Sequence, residues 1–285
     1  MSNKIHTMVT NQILTLMSKG VCPWAKGWKD VGGIAPFNAE SGRQYNGINA
    51  CLCAIKADGK IPAFTTANAA LGRYPKKGSE GVVLIRPRIK TELNDQGEKV
   101  ERFFGIGYVR VFSVYDIQGY DTLKLEEKYA SCEDDGIDFN PIGVCEAIVT
   151  DMINPPEIEH GGNRAYYRPS TDSIGMPEKK NFASEDGYYH ILFHELVHST
   201  MHITRLDRKK SREGLETRKH EYSFEELVAE LGACFLACET GIQTDATLKN
   251  SASYLKSWIK PLQDNPDWIM KASSQASKAV KYITA

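Results

Sequence analysis

The sequence has no run of about 18 consecutive apolar residues, the length a membrane-spanning helix requires. Its opening MSNKIHTMVTNQILTLMSKG has no apolar centre of the kind that marks a secretory signal. Cysteine is sparse: Cys22, Cys51, Cys53, Cys132, Cys145, Cys234 and Cys238 are odd in number and show no CxxC…CxxC spacing. That excludes a disulfide framework and a four-cysteine zinc module, and the thiols read as reduced, buried packing residues of a cytoplasmic protein. Helix-turn-helix and zinc-finger spacings are missing, which argues against a regulator that reads duplex sequence. Internal repeats and low-complexity segments are missing as well. What remains is an ordinary globular composition, 41% hydrophobic and 25% charged, over 285 residues, which is material for two domains.

Net charge is also nearly absent, at -1, but the balance conceals an asymmetry. Residues 1–110 hold 16 Lys and Arg against 8 Asp and Glu, whereas the other 175 hold 19 against 28. A basic front half suits an anionic partner, most commonly nucleic acid. Within it, Trp24, Trp28 and Tyr45 stand beside Lys26, Lys29 and Arg43, a mixture suited to base stacking with phosphate contacts. The same tryptophans would equally suit a core. Arg73, Lys76 and Lys77 cluster in a Gly/Pro-bearing turn where a loop could meet a nucleic-acid backbone.

The chemistry concentrates in HELVH, residues 194–198. On an α-helix His194 and His198 fall one turn apart on one face, so both imidazoles can reach one tetrahedral metal. Glu195 then stands beside a metal-bound water as the catalytic carboxylate. Zinc is the expected ion, with another divalent metal possible. Ile191, Leu192, Phe193, Leu196 and Val197 make the rest of this helix apolar, and Ser184 can cap it.

A third ligand is needed. His202 is two turns from His194 and rotated by about 80°, and position 204, where a metzincin would place histidine, is threonine. The helical pattern of residues 222–241 offers Glu226 and Glu230, one turn apart. Glu226 is assigned as ligand and Glu230 as the carboxylate that orients a ligand histidine, with the reverse assignment left open. Glu225, on another face, reads as a solvated charge, and Cys234 and Cys238 as small core residues that need no metal.

Around these residues the chain reads as α+β. Residues 1–122 predict a helix ending at Gly20, a helix over 50–57, and two long strands (81–90 and 101–119) joined by a hairpin, giving a small α+β domain with a curved antiparallel sheet. The acidic stretch 123–138 predicts a linker. Residues 139–285 predict a mostly helical domain with short strands near Ile158 and Ala165–Tyr167, an extended piece over 172–176, and two closing helices separated at Pro261.

Five stretches occur in order: PFNAESGRQYNGIN, AFTTANAALGRYPKKGSEG, YYRPSTDSIGMP, HELVHSTMHITRLDR and EELVAELGA. In this the chain resembles the ArdC antirestriction family of conjugative plasmids and phages over nearly its whole length. The resemblance implies an N-terminal single-stranded-DNA-binding domain and a C-terminal zincin-like metallopeptidase domain, which protect incoming DNA from host restriction. It implies His194, His198 and Glu226 as the metal set, Glu195 as the catalytic carboxylate, and DNA-binding turns around Asn38, Tyr45, Asn49 and Lys76–Lys77. A protein of a host restriction system is a possible substrate, and no membrane is implied. The alternative is a non-enzymatic protein that coats single strands, with a structural or vestigial metal site. Met201 departs from the family, which usually has glycine there.

Overall fold

The computed structural model describes residues 2–24, 34–68, 71–94, 96, 98–130, 141–208, 215–242 and 252–285. Helix α1 (Ser2–Ser18) follows the apolar period, burying Ile5, Val9, Ile13 and Met17, and the left-handed Gly20 ends it. Next come β1 (Phe37–Asn38), α2 (Gly47–Ala57), β2 (Ala63–Thr65), β3 (Val82–Leu93) and β4 (Lys99–Ser113). They build a four-stranded sheet in the order β1-β2-β4-β3. The sheet is mixed rather than wholly antiparallel. Because α2 intervenes as a crossover, β2 returns parallel to β1, with Phe37 opposite Ala63.

The first part of the acidic stretch is helical: α3 (Thr122–Ala130) sets Leu125 and Tyr129 against a small cluster of Phe37, Ile61, Ala63 and Val114. Glu126 meets Tyr115 at the margin of that cluster, while positions 131–138 fall outside the described residues. After α4 (Pro141–Asp151), strands β5 (Glu157–His160), β6 (Tyr166–Arg168) and β7 (Ser173–Met176) form a second sheet in the order β5-β7-β6, so β6 is an edge. Helices α5 (Glu185–Ser199), α6 (Leu215–Thr240), α7 (Ala252–Asp264) and α8 (Trp268–Ile283) complete the order. Pro261 lies inside α7, in its last turn, instead of ending it. Its carbonyl there accepts from both the backbone and side-chain nitrogens of Asn265, at 3.0 and 2.9 Å.

Helix α6 is the axis of packing. Leu227, Val228, Leu231 and Leu236 are wholly buried, and α5 and α8 lie against it. Each such side chain contributes about 1.5–3 kcal/mol. The same buried cluster continues through Val9, Ile13, Cys51 and Leu52 of α1 and α2, so the N-terminal elements share a core with the C-terminal helices. Two polar ties reinforce it: Thr10 donates to the Pro266 carbonyl at 2.7 Å, and the Trp24 indole donates to Tyr254 Oη at 3.0 Å. Among the described residues, no helix is long and apolar enough to cross a membrane.

Candidate metal centre

The local sequence dictates how α5 begins and ends. Ser184 Oγ accepts from Gly187 N at 3.1 Å, and Glu185 and Asp186 occupy the first turn, where the helix dipole favours negative charge. At the other end, Arg205 Nε donates to the Ser199 carbonyl at 2.8 Å and Arg208 Nη2 to the Val197 carbonyl at 2.9 Å, so the TRLDR segment caps the last turn with cations. Arg205 also pairs with Asp172, which accepts from Tyr167 Oη at 2.9 Å, and so ties the helix end to the second sheet.

Between these ends, α5 buries Leu192, Phe193, Leu196 and Val197 and turns His194 and His198 toward α6. The close approach depends on Gly232, since a Cβ there would stand 2.6 Å from Val197 Cγ2. Glu226 is thereby placed with one carboxylate oxygen 3.5 Å from His194 Nε2 and the other 3.5 Å from His198 Nε2. The two Nε2 atoms are 3.1 Å apart, and the three donor atoms all lie within 4.8 Å of one another. Two imidazole nitrogens converging on one carboxylate fit a divalent cation of borderline softness.

Burial alone would push the Glu226 carboxyl up, but hydrogen bonds with His194 and His198 outweigh it and hold the group below the usual carboxylate range. His198 is pulled the other way. Burial would lower it, yet Glu225 and Glu226 raise it to about 9. Glu195 is 8% exposed, and its pKa rises because burial disfavours the carboxylate more than the neighbouring histidines favour it. All of these residues border a cleft of about 330 Å³ whose opposite wall is Tyr166, Tyr167 and Pro169 from β6 and the turn after it. A larger cavity of about 610 Å³, bounded by Phe37, Tyr45, Tyr129 and Phe235, lies elsewhere and holds no comparable donor set among the described residues.

The carboxylate behind the histidines is Glu225, where the sequence predicted Glu230. Glu225 is 8% exposed, with Oε1 3.5 Å from His198 Nδ1 and 2.6 Å from Arg208 Nη2. Arg208 is what makes a carboxylate tenable there. Glu230, one turn farther along α6, acts on Tyr254 instead, raising its hydroxyl pKa by its charge after the larger effect of burial. Tyr222 also escaped notice, although its spacing of four from Glu226 puts it on the same face. It lines the cleft, and the charge of Glu226 raises its hydroxyl pKa. His202 is engaged with Thr204 Oγ1 at 2.8 Å. Met201 lines the cleft with its backbone outside the left-handed region, so the departure from glycine costs no strain.

Most of the residues predicted to touch DNA have structural duties. Trp24 is fully buried, edge-on to Trp258, and cannot stack on a base. Trp28 lies outside the described residues. Asn38 Oδ1 closes a turn by accepting from Glu40 N and Ser41 N, and Tyr45 packs edge-on to Phe64. Asn49 brackets Ile85, donating to its carbonyl at 2.7 Å and accepting from its N–H at 2.9 Å. Arg73 pairs with Glu40 over the Tyr120 ring, and Lys76 donates to the Tyr115 carbonyl at 2.8 Å. Arg43 and Lys77 are exposed.

Residues 146–275 match the family described as zincin-like metallopeptidase, which is the class that the paired helices and their His-His-Glu pocket define. Residues 3–115 match the N-terminal domain of anti-restriction factor ArdC. The metal-free crystal structure of antirestriction protein ArdC from plasmid R388 superposes with a TM-score of 0.68 at 29% identity, covering 98% of this chain and 96% of that one. Its Mn(II)-bound form gives 0.69 at the same identity and coverage. With both domains in this order, the chain belongs to the ArdC antirestriction family. A DNA primase TraC of Escherichia coli is 31% identical over 98% of this chain, but the chain spans only 20% of that protein's length. An uncharacterised protein of Sinorhizobium fredii is 27% identical, over 99% of this chain and 92% of its own.

Proposed function

We propose that the chain is a metal-dependent peptidase joined to a single-stranded-DNA-binding region, and that it protects incoming DNA from host restriction by acting on a protein of the restriction system. The observation that carries the peptidase half is the convergence of His194, His198 and Glu226 with Glu195 buried beside them. A zinc or manganese ion held by those three residues would supply Lewis acidity, polarising a peptide carbonyl and acidifying water. Glu195, its proton affinity raised by burial, is suited to take a proton from that water and deliver it to the departing amine. Tyr222 stands where its hydroxyl can donate to a substrate oxygen. Strand β6, an edge beside the cleft, can pair with an extended peptide, although the Tyr167 backbone N–H is already engaged by Glu195. The DNA half is supported by the basic first 110 residues and by the match of that region to the ArdC N-terminal domain.

Glu195→Gln tests the proposal, because it keeps the metal ligands and removes the base. Transfer of unmodified plasmid into a restricting host should fall to the level seen without the protein, while metal content and DNA binding persist. Full protection by the variant would mean that coating of single strands, not peptide hydrolysis, is the mechanism.

A further inference from the structure

Strands β3 and β4 continue well beyond the body of the protein. Their inner ends are anchored: Val82, Val83, Leu84 and Val111 belong to the main core, and the side-chain amides of Gln12 and Asn49 bracket Val83 and Ile85. From Arg86 to Leu93 on one strand and Lys99 to Phe104 on the other, nearly every residue is exposed, giving an arm roughly 26 Å long at about 3.3 Å per residue. A free two-stranded ribbon is marginal in water. This one nevertheless holds, with Tyr108 at its base, six of the fourteen exposed large apolar side chains found among the described residues, with Phe103 at 61% and Phe104 at 60% exposure.

The register sorts these residues by face, because directly opposed residues point the same way. Arg86 faces Gly107, Arg88 faces Gly105 and Lys90 faces Arg102, which makes one face cationic. Gly107 provides room for this: a Cβ there would stand 3.0 Å from Arg88 Nε and 3.5 Å from Arg86 Cγ, so both arginines lie over Gly107. The pairs Ile85–Tyr108, Pro87–Ile106 and Ile89–Phe103 line the other face. A bulge after Arg88 leaves Phe104 as the extra residue beside Phe103. Arg110, opposite Val83, and Lys99, opposite Leu93, bracket that aromatic row, which also carries Glu101. Arg86, Arg88, Lys99 and Arg110 form no ion pair among the described residues, whereas Lys90 and Arg102 share Glu92.

We propose that the Phe103–Phe104–Tyr108 face of this arm is where single-stranded DNA lies, its bases stacked on the rings and its phosphates met by Arg110, Lys99 and the arginines of the opposite face. This rests on the single-strand binding proposed above and assigns it a surface that excludes the buried Trp24. Unpaired bases are the occupant that fits, because exposed rings need free base faces, which a duplex does not offer. A second copy of the arm would bring six cations of β3 and β4 against six more, with only Glu92 and Glu101 on each to offset them.

The test is anisotropy of a labelled oligo(dT) 20-mer with the full chain at several salt concentrations, alongside a matched duplex and sedimentation of the protein alone. Phe103→Ser/Phe104→Ser should weaken single-strand binding on the order of 10- to 100-fold. Arg86→Ala/Arg88→Ala should reduce the slope of log affinity against log salt by about 1.4. All four positions are exposed, so the melting temperature and metal content should match those of the parent. If the parent itself does not bind oligo(dT), the single-strand function falls. If the parent binds and both variants bind equally well, the function stands and the arm is excluded. Equal affinity for the duplex, or a change in oligomeric state without a change in DNA affinity, would also overturn the assignment of this face.

Discussion

Gly232→Ala offers a direct test of how the metal centre is held together. The new methyl would stand 2.6 Å from Val197 Cγ2, 3.0 Å from Cγ1 and 3.3 Å from Cβ, against an ordinary contact of 3.4 Å or more. Val197 is wholly buried and β-branched, so its methyls have no alternative rotamer to retreat to. The backbone must give instead, and α6 would have to withdraw from α5 by most of an ångström. Alanine stabilises a helix by about 1 kcal/mol relative to glycine, while overpacking of this kind costs about 1–3 kcal/mol. The expected net is a loss of up to about 2 kcal/mol, measured by urea denaturation of the metal-free protein. Because Glu226 sits less than two turns from Gly232, the same withdrawal should weaken Mn(II) binding at least tenfold, on the order of 1.4 kcal/mol. Val197→Ala alone should cost about 2 kcal/mol. Combined with Gly232→Ala it opens the space that the added methyl fills, so the double variant should be more stable than the sum of the two losses by about 1 kcal/mol or more. Unchanged Mn(II) affinity in Gly232→Ala, or strictly additive losses in the double variant, would refute the view that this contact sets the distance between the ligand-bearing helices.

Glu225→Gln should reduce metal affinity about 10- to 100-fold, as loss of a carboxylate behind a ligand histidine does, whereas Glu230→Gln should leave it within about twofold; titration of the two variants side by side separates the roles. In the metal-free protein, Glu225 and Glu226 hold the His198 pKa near 9, above its ordinary 6.5, against the effect of burial. The resulting stabilisation is complete below pH 6.5 and disappears as pH rises through 9. Since a metal must find that imidazole unprotonated, binding at pH 7.5 should release about one proton, seen by calorimetry in two buffers of different ionisation enthalpy; identical heats would contradict it. Trp24→Phe should destabilise the fold by about 1–2 kcal/mol by removing the buried indole and its hydrogen bond to the Tyr254 hydroxyl, with oligo(dT) affinity unchanged in the folded protein.

The histidine helix was legible because everything that determines it is local: a serine cap, an apolar stripe, and two imidazoles one turn apart. The second carboxylate was not. Glu226 and Glu230 share a helical stripe, and periodicity cannot say which end of that stripe meets α5. The choice is made by Gly232 against Val197 and by Arg208, whose guanidinium joins α5 to α6 and makes a buried Glu225 tenable. Trp24 misled for a related reason, since lysines next to it in sequence suggest a wet surface, while its burial is decided by Tyr254 and Trp258 more than 200 residues away. The arm presents the same difficulty in reverse. Its alternation of Ile89, Phe103 and Tyr108 with charged residues is the pattern of a strand with one covered face, and the sequence records that pattern faithfully. What it cannot record is that β2, the strand on the far side of β4, is only three residues long and pairs only with Phe112 and Ser113, so β3 and β4 run on as a two-stranded ribbon whose apolar face stays exposed among the described residues. An apolar strand face left exposed among the described residues suits a partner from outside, and the cations around this one favour an anionic partner.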